Sequence, residues 1–342
     1  MPFNIVITRD FEQMSEVAAG IVTESIAAGL KQKEGFTLGL ATGSSPTGLY
    51  KHLARAANAG VFEPRRIRSF NLDEYVGLPG ENAQQRTLHP ESYSFFMIQE
   101  LFGLMKRKFR EVNVPWGTII EQEKLIAEME SHQDDWRAEG TDKGKAIVIS
   151  KEARSKYLRW IRREILDGYD EKIGRFGGID LQIIGVGGRG HVAFHESGIP
   201  FDGNRMLLVK LDDNTVANAV ADGHFASRKE SPQYAISMGV ELVYEAGEVV
   251  LLASGGRKTD PVVESLLGDP GPTVPISYGK IYAEKGGRLS YVLDREAGRK
   301  VLEHADRIRA LGIQLQDISA FGGIQRALDL PLFRDPEAGQ LP

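Results

Sequence analysis

Residues 36–48, FTLGLATGSSPTG, decide how the fold is read. Phe36 to Ala41 form a short apolar run of strand length. Small and hydroxyl-bearing residues follow, and Pro46 suits the first turn of a helix. A strand that passes through a tight turn into a helix is the unit of a parallel sheet, because parallel neighbours need a long crossover. The same unit recurs along the chain. Residues 3–8 read as a strand, and Asp10 caps a helix with Phe11, Met14, Val17, Ala18, Ile21, Val22 and Ile26 on one face. Gln13 is placed to complete that cap. Further strands are expected at 67–72, 179–184, 206–211, 248–253 and 288–293, and helices near 91–106, 215–221, 232–246, 258–267 and 295–311. The alternation predicts an α/β fold, doubly wound and Rossmann-like, with a mainly parallel sheet and helices on both faces. Ligands of such folds lie beyond the carboxyl ends of the strands.

A length of 342 residues fits one such domain with additions. The expected division is a single domain over 1–312, carrying an inserted helical region at about 121–178, and a C-terminal extension over 313–342. Within the insertion, Gly140–Gly144 reads as a turn between two helical stretches, the second with Leu158, Ile161 and Ile165 on one face. In the extension, Leu330, Leu332 and Phe333 are candidate anchors. Lysine and arginine total 42 against 47 acids, a net charge of -5, which argues against a nucleic-acid partner held by phosphate neutralisation. The absence of cysteine excludes disulfides, thiolate zinc sites, iron–sulfur clusters and a cysteine nucleophile. The N-terminus lacks the apolar core of a signal peptide, and no apolar run is long enough to span a bilayer, so cytoplasm is expected and a membrane partner is not.

Three loops carry chemistry. In the first, Thr42, Gly43, Ser44, Ser45 and Thr47 precede a helix, where backbone amides and hydroxyls can bind a phosphate. The blander reading is a strand–helix turn with capping hydroxyls, since no Walker pattern is present. The second, FNLDEYVGLP at 70–79, sets Asp73 and Glu74 beyond a strand, where an acid could take a proton from carbon beside a carbonyl or imine. A solvated loop or helix cap is the competing reading. The third, IGVGGRGHVAFHESG at 184–198, contains a literal G-x-G-x-x-G through Gly185, Gly187 and Gly190, with Asp212 and Asp213 downstream. A dinucleotide site fails on context, because Gly198, Pro200 and Gly203 interrupt the helix that should follow. A metal site on His191, His195 and Glu196 needs a helix there too. A histidine oriented by a carboxylate for proton transfer fits better, and His195 reads as an ordinary loop histidine.

Together these loops resemble the glucosamine-6-phosphate deaminase/isomerase family across roughly residues 30–294. NLDEYVGLP at 71–79 with HPESY at 89–93 is close to the family signature, HVAFHE at 191–196 is similar to its histidine loop, and Val216-Ala-Asn218 and Lys258 match later landmarks. The resemblance implies that the 42–47 turn and Lys258 hold a sugar phosphate. It implies that Asp73 moves a proton between C2 and C1, with Glu74 supporting the loop. His191, oriented by Glu196, would protonate the ring oxygen during opening. Ammonia and a ketose phosphate would leave, with no metal, nicotinamide or pyridoxal cofactor.

The departures concern two positions in particular. Arg189 stands where the family has an aspartate just before the Gly-His pair, and a cation there opposes the imidazolium of His191. Thr215 replaces an arginine that the family uses for phosphate, so Arg189 is a candidate substrate-binding cation. Glu81–Leu88 and 121–178 are additions able to reshape the site or a homo-oligomer interface. The competing readings are a hydrolase resembling the 6-phosphogluconolactonases and a sugar-phosphate sensor without turnover.

Overall fold

The computed structural model describes residues 1–221 and 223–320. Residues 321–342, with the candidate anchors Leu330, Leu332 and Phe333, lie outside the described residues. The strands are β1 (Phe3–Thr8), β2 (Phe36–Leu40), β3 (Ile67–Asn71), β4 (Asp73–Val76), β5 (Glu111–Asn113), β6 (Trp136–Glu139) and β7 (Lys145–Ile149). They continue with β8 (Leu181–Ile184), β9 (Met206–Lys210), β10 (Tyr234–Met238), β11 (Glu248–Ala253), β12 (Arg288–Asp294) and β13 (Gln314–Asp317). Eight of them form a sheet in the order β13-β1-β12-β11-β8-β2-β3-β5. Every pairing in it is parallel. Helices surround it, among them α1 (Phe11–Gln32) and α2 (Thr47–Asn58). Asp10 caps α1 by accepting from the Gln13 amide at 2.9 Å, and the Gln13 side chain accepts in return from the Arg9 amide at 2.7 Å, one residue before the cap. The central strands are buried runs rich in Ile, Val and Leu, and they form one large core with the apolar face of α1.

The remaining five strands make a second, antiparallel sheet in the order β4-β10-β9-β7-β6. Its two faces bury different side chains, Leu208 and Ile236 on one and Leu207, Val209 and Ala235 on the other. Leu72 joins the sheets, for its amide donates to Leu40 O at 3.0 Å and its carbonyl accepts from the Met238 amide at 2.7 Å. Asp73 therefore begins the small sheet where the large one ends.

Several expected elements take other forms. The helix expected at 232–246 is strand β10 followed by a short helix, Val240–Val243. Tyr234, Ala235, Ile236, Ser237 and Met238 are all buried, so no alternation marks the strand. The strand at 206–211 forms, but in the antiparallel sheet. Gly140–Gly144 joins β6 to β7 rather than two helices. The helix expected at 295–311 is divided into Arg299–Glu303 and Ala305–Ala310. Among the described residues no helix is long and apolar enough to cross a membrane.

Candidate active site

The neighbouring strands β11, β8, β2 and β3 end side by side, which gathers the loops at 254–258, 185–191 and 41–47 and the start of β4 along one edge of the sheet. After β2, Gly43 adopts φ 98, a conformation that favours glycine. No side chain caps α2 behind it, so the first-turn amides are left to other acceptors. Ser44 is exposed, Thr42, Ser45 and Thr47 are half-buried, and the Thr47 hydroxyl donates to Ser44 O at 2.9 Å. Beyond β11, Lys258 ends a short turn preceding the helix Thr259–Leu267. Asp294 holds that turn by accepting from the Gly255 amide at 2.9 Å.

Asp73 and Glu74 are buried and have different surroundings. Glu74 accepts from the Tyr93 and Ser94 amides, each at 3.0 Å, and from the hydroxyls of Ser92 and Ser94, each at 3.1 Å. It thus ties β4 to the first turn of the helix Tyr93–Glu100. Burial raises its pKa, and these donors oppose the rise. Asp73 has one such partner, the Thr42 hydroxyl at 3.5 Å. Burial first, and the charge of Glu74 second, push the Asp73 carboxyl well above the ordinary carboxylate range. Of two adjacent acids, one is satisfied by four donors from the segment Ser92–Ser94 and the other keeps its proton to a higher pH.

The histidine loop packs beside this pair. Phe194 lies 5.1 Å from the Tyr75 ring and stacks on Tyr93 at 5.8 Å, and its amide donates to the Ser237 hydroxyl at 3.0 Å. Ser237 is the cross-strand partner of Asp73. His191 Nδ1 faces Glu196 at 3.5 Å. Glu196 also accepts from the Thr215 hydroxyl at 2.7 Å and the Asp212 amide at 3.3 Å. Burial opposes its ionisation, but these donors together with His191 hold its pKa below the ordinary value. Thr215 is thus a partner of the histidine–carboxylate pair, a role its replacement of an arginine did not disclose.

Of the G-x-G-x-x-G run, Gly187 makes room for this histidine. A Cβ on Gly187 would lie 1.8 Å from His191 Nε2, and the Gly187 amide donates to His191 O at 3.0 Å. No helix opens at the turn. His195 is buried, with Nε2 on Ile199 O at 3.1 Å and Nδ1 accepting from the Val240 amide at 3.2 Å, which occupies both nitrogens and leaves neither for a metal. Burial lowers its pKa to about 4, so it is neutral. Arg189 is half-exposed and paired with Asp142, with Asp212 at 3.7 Å. Among the described residues, three potential metal-ligating side chains converge elsewhere, at Glu12, Glu16 and His52.

A parallel sheet with a buried acid of raised pKa and a carboxylate-paired histidine at its strand ends is the arrangement of an α/β enzyme. No protein-family profile matches the chain. The glucosamine-6-phosphate deaminase of Thermoanaerobacter pseudethanolicus is 32% identical over 294 residues, 86% of this chain and 93% of that protein. That of Clostridium botulinum is 29% identical over 297 residues, 87% of this chain and 98% of that protein. Among solved structures, a monomeric glucosamine-6-phosphate deaminase superimposes with TM-score 0.62 at 24% identity, over 86% of this chain and 99% of its own. The 6-phosphogluconolactonase of Trypanosoma brucei gives 0.54 at 16% identity, over 87% and 98%. These two share the fold. The chain belongs to the glucosamine-6-phosphate deaminase family.

Proposed function

We propose that this enzyme converts glucosamine 6-phosphate, or a close relative, into a ketose 6-phosphate and ammonia. The observation that carries the reading is Asp73, a carboxyl buried beside the histidine loop with its pKa raised by burial and by Glu74. A general base or acid works best when its pKa approaches the working pH. The first turn of α2, with Thr42, Gly43, Ser44, Ser45 and Thr47, would supply the phosphate donors together with Lys258. Arg189 would border the substrate with its charge already matched by Asp142.

His191, oriented through Nδ1 by Glu196, would protonate the ring oxygen as the C1–O bond breaks and the C1 hydroxyl gives up its proton. Asp73 would then remove the C2 proton as the C1 oxygen regains the proton it gave up, which leaves an enolamine, and return a proton to C1. Water adds to the C2 imine that results, and ammonia departs. The net change is amino sugar phosphate plus water to ketose phosphate plus ammonia. The reading places the enzyme in the cytoplasm, where the charge of a sugar phosphate keeps it from crossing the membrane.

Asp73→Asn tests the assignment because it keeps volume and removes the proton acceptor. We expect ammonia release to fall by at least about a hundredfold, with affinity for a phosphate-bearing ligand within about twofold. Turnover close to that of the unaltered enzyme would eliminate Asp73 as the base.

A further inference from the structure

The inserted hairpin reaches the histidine loop. At the β6–β7 tip the Thr141 amide donates to Gly198 O at 3.0 Å, and Lys143 Nζ lies 3.5 Å from Asp213. A Cβ on Gly144 would meet Glu196 Cβ at 2.6 Å, so glycine at that position lets the tip lie against the stem of the carboxylate that orients His191. This docking delivers Asp142 to Arg189, the cation two positions before His191, and the two form an ion pair. Their hydrogen bond draws the Asp142 carboxyl below its usual range and raises the guanidinium.

Arg189 has other carboxylates within its field. Asp212 lies 3.7 Å from Nη1, and the Asp212 amide in turn donates to Glu196 Oε1 at 3.3 Å. Glu196 itself acts on the guanidinium electrostatically. A guanidinium released from Asp142 would meet in Glu196 a planar acceptor that suits its fork of donors. Pairing there would compete with His191 Nδ1, which faces Glu196 Oε2 at 3.5 Å.

We propose that Asp142 is a positioning residue. By holding Arg189 in an ion pair it keeps Glu196 available to orient His191, and the inserted hairpin thereby forms part of the ring-opening apparatus. The inference rests on the proposed role of His191 and adds to it a residue from outside the three loops. Asp142 touches neither substrate nor reacting atoms and acts through Arg189 alone.

A double-mutant cycle tests this. Asp142→Ala should lower kcat on the cyclic amino sugar phosphate by about tenfold, since general acid–base positioning is lost only in part. Affinity for an open-chain amino-alditol 6-phosphate, which needs no ring opening, should be unchanged. Asp142→Glu should recover most of the rate. In an Arg189→Ala background the Asp142→Ala change should have no further effect. An equal loss with and without Arg189 would overturn the proposal, as would an unchanged kcat in Asp142→Ala. A lower KM together with tighter alditol binding would overturn it too, because it would show a freed Arg189 gripping substrate. Should the unaltered enzyme release no ammonia from any amino sugar phosphate, the parent reading fails by itself. A crystal structure of Asp142→Ala then decides the inference: Arg189 seated on Glu196 upholds it, and Arg189 retained on Asp212 refutes it.

Discussion

At Asp73 a carboxyl group is 4% exposed beside a second buried acid, so its ionisation in the folded protein is opposed by burial and by the Glu74 charge. Its folded pKa lies above the ordinary 3.8, so the folded state binds its proton more tightly than the unfolded chain does. Stability is then fullest below that ordinary value and declines as the pH rises through the folded pKa. Asp73→Asn removes this cost, and a thermal melt at neutral pH should place the variant roughly 2–4 °C higher than the unaltered enzyme. The difference should shrink in acid; a variant less stable at neutral pH would contradict it. His195 has the opposite dependence. Its pKa falls from 6.5 to about 4, so its contribution is complete above the former value and is lost as pH falls toward the latter. Across that window it should remove about 1.4 kcal/mol of stability per pH unit, and His195→Gln should flatten that part of the acid profile. Identical profiles in denaturant titrations would refute the assignment. The acids and histidines were legible because they lie in contiguous runs at predicted strand ends. The resemblance implied their division of labour, but its physical basis was not legible, since the donors that tame Glu74 come from Ser92–Ser94 and the partners of His195 are the Ile199 carbonyl and the Val240 amide.

Among the elements, six of the eight parallel strands were readable because burial on both faces writes them as nearly unbroken apolar runs, whereas the short polar edge strands β5 and β13 carry no such run. The same property hid β10, whose run of buried residues from Tyr234 to Met238 is compatible with either period. Strand β4 was concealed differently: Asp73 and Glu74 are charged, and only pairing with β10 makes that segment extended and buried. The G-x-G-x-x-G run shows an element whose pattern has one meaning in sequence and another in space. Gly187 is small because the His191 ring occupies the place of its side chain. Gly187→Ala should therefore displace the ring and lower kcat by about tenfold or more, while a phosphate-bearing open-chain ligand binds as before. Weakened ligand binding with unaltered kcat would instead return the glycines to a phosphate-cradling role.

Over the whole molecule, the large sheet sets the 42–47 turn and Lys258 at its strand ends, and the small sheet begins at Asp73 and carries the hairpin that meets the histidine loop. The order of the large-sheet units was visible along the chain, and so was the ligand edge that they create. The second sheet was not, because its strands are scattered between Asp73 and Met238 and pair across long separations. As proposed, this assembly opens, isomerises and deaminates an amino sugar phosphate. That activity is tested most directly by measuring ammonia and ketose phosphate released by the purified enzyme from glucosamine 6-phosphate, with unphosphorylated glucosamine and 6-phosphogluconolactone in parallel. Ammonia and ketose phosphate should appear in equal amounts from the phosphorylated amino sugar, with far slower release without the phosphate. Hydrolysis of the lactone with no ammonia from any aminohexose 6-phosphate would contradict it, as would tight binding of those sugars without turnover.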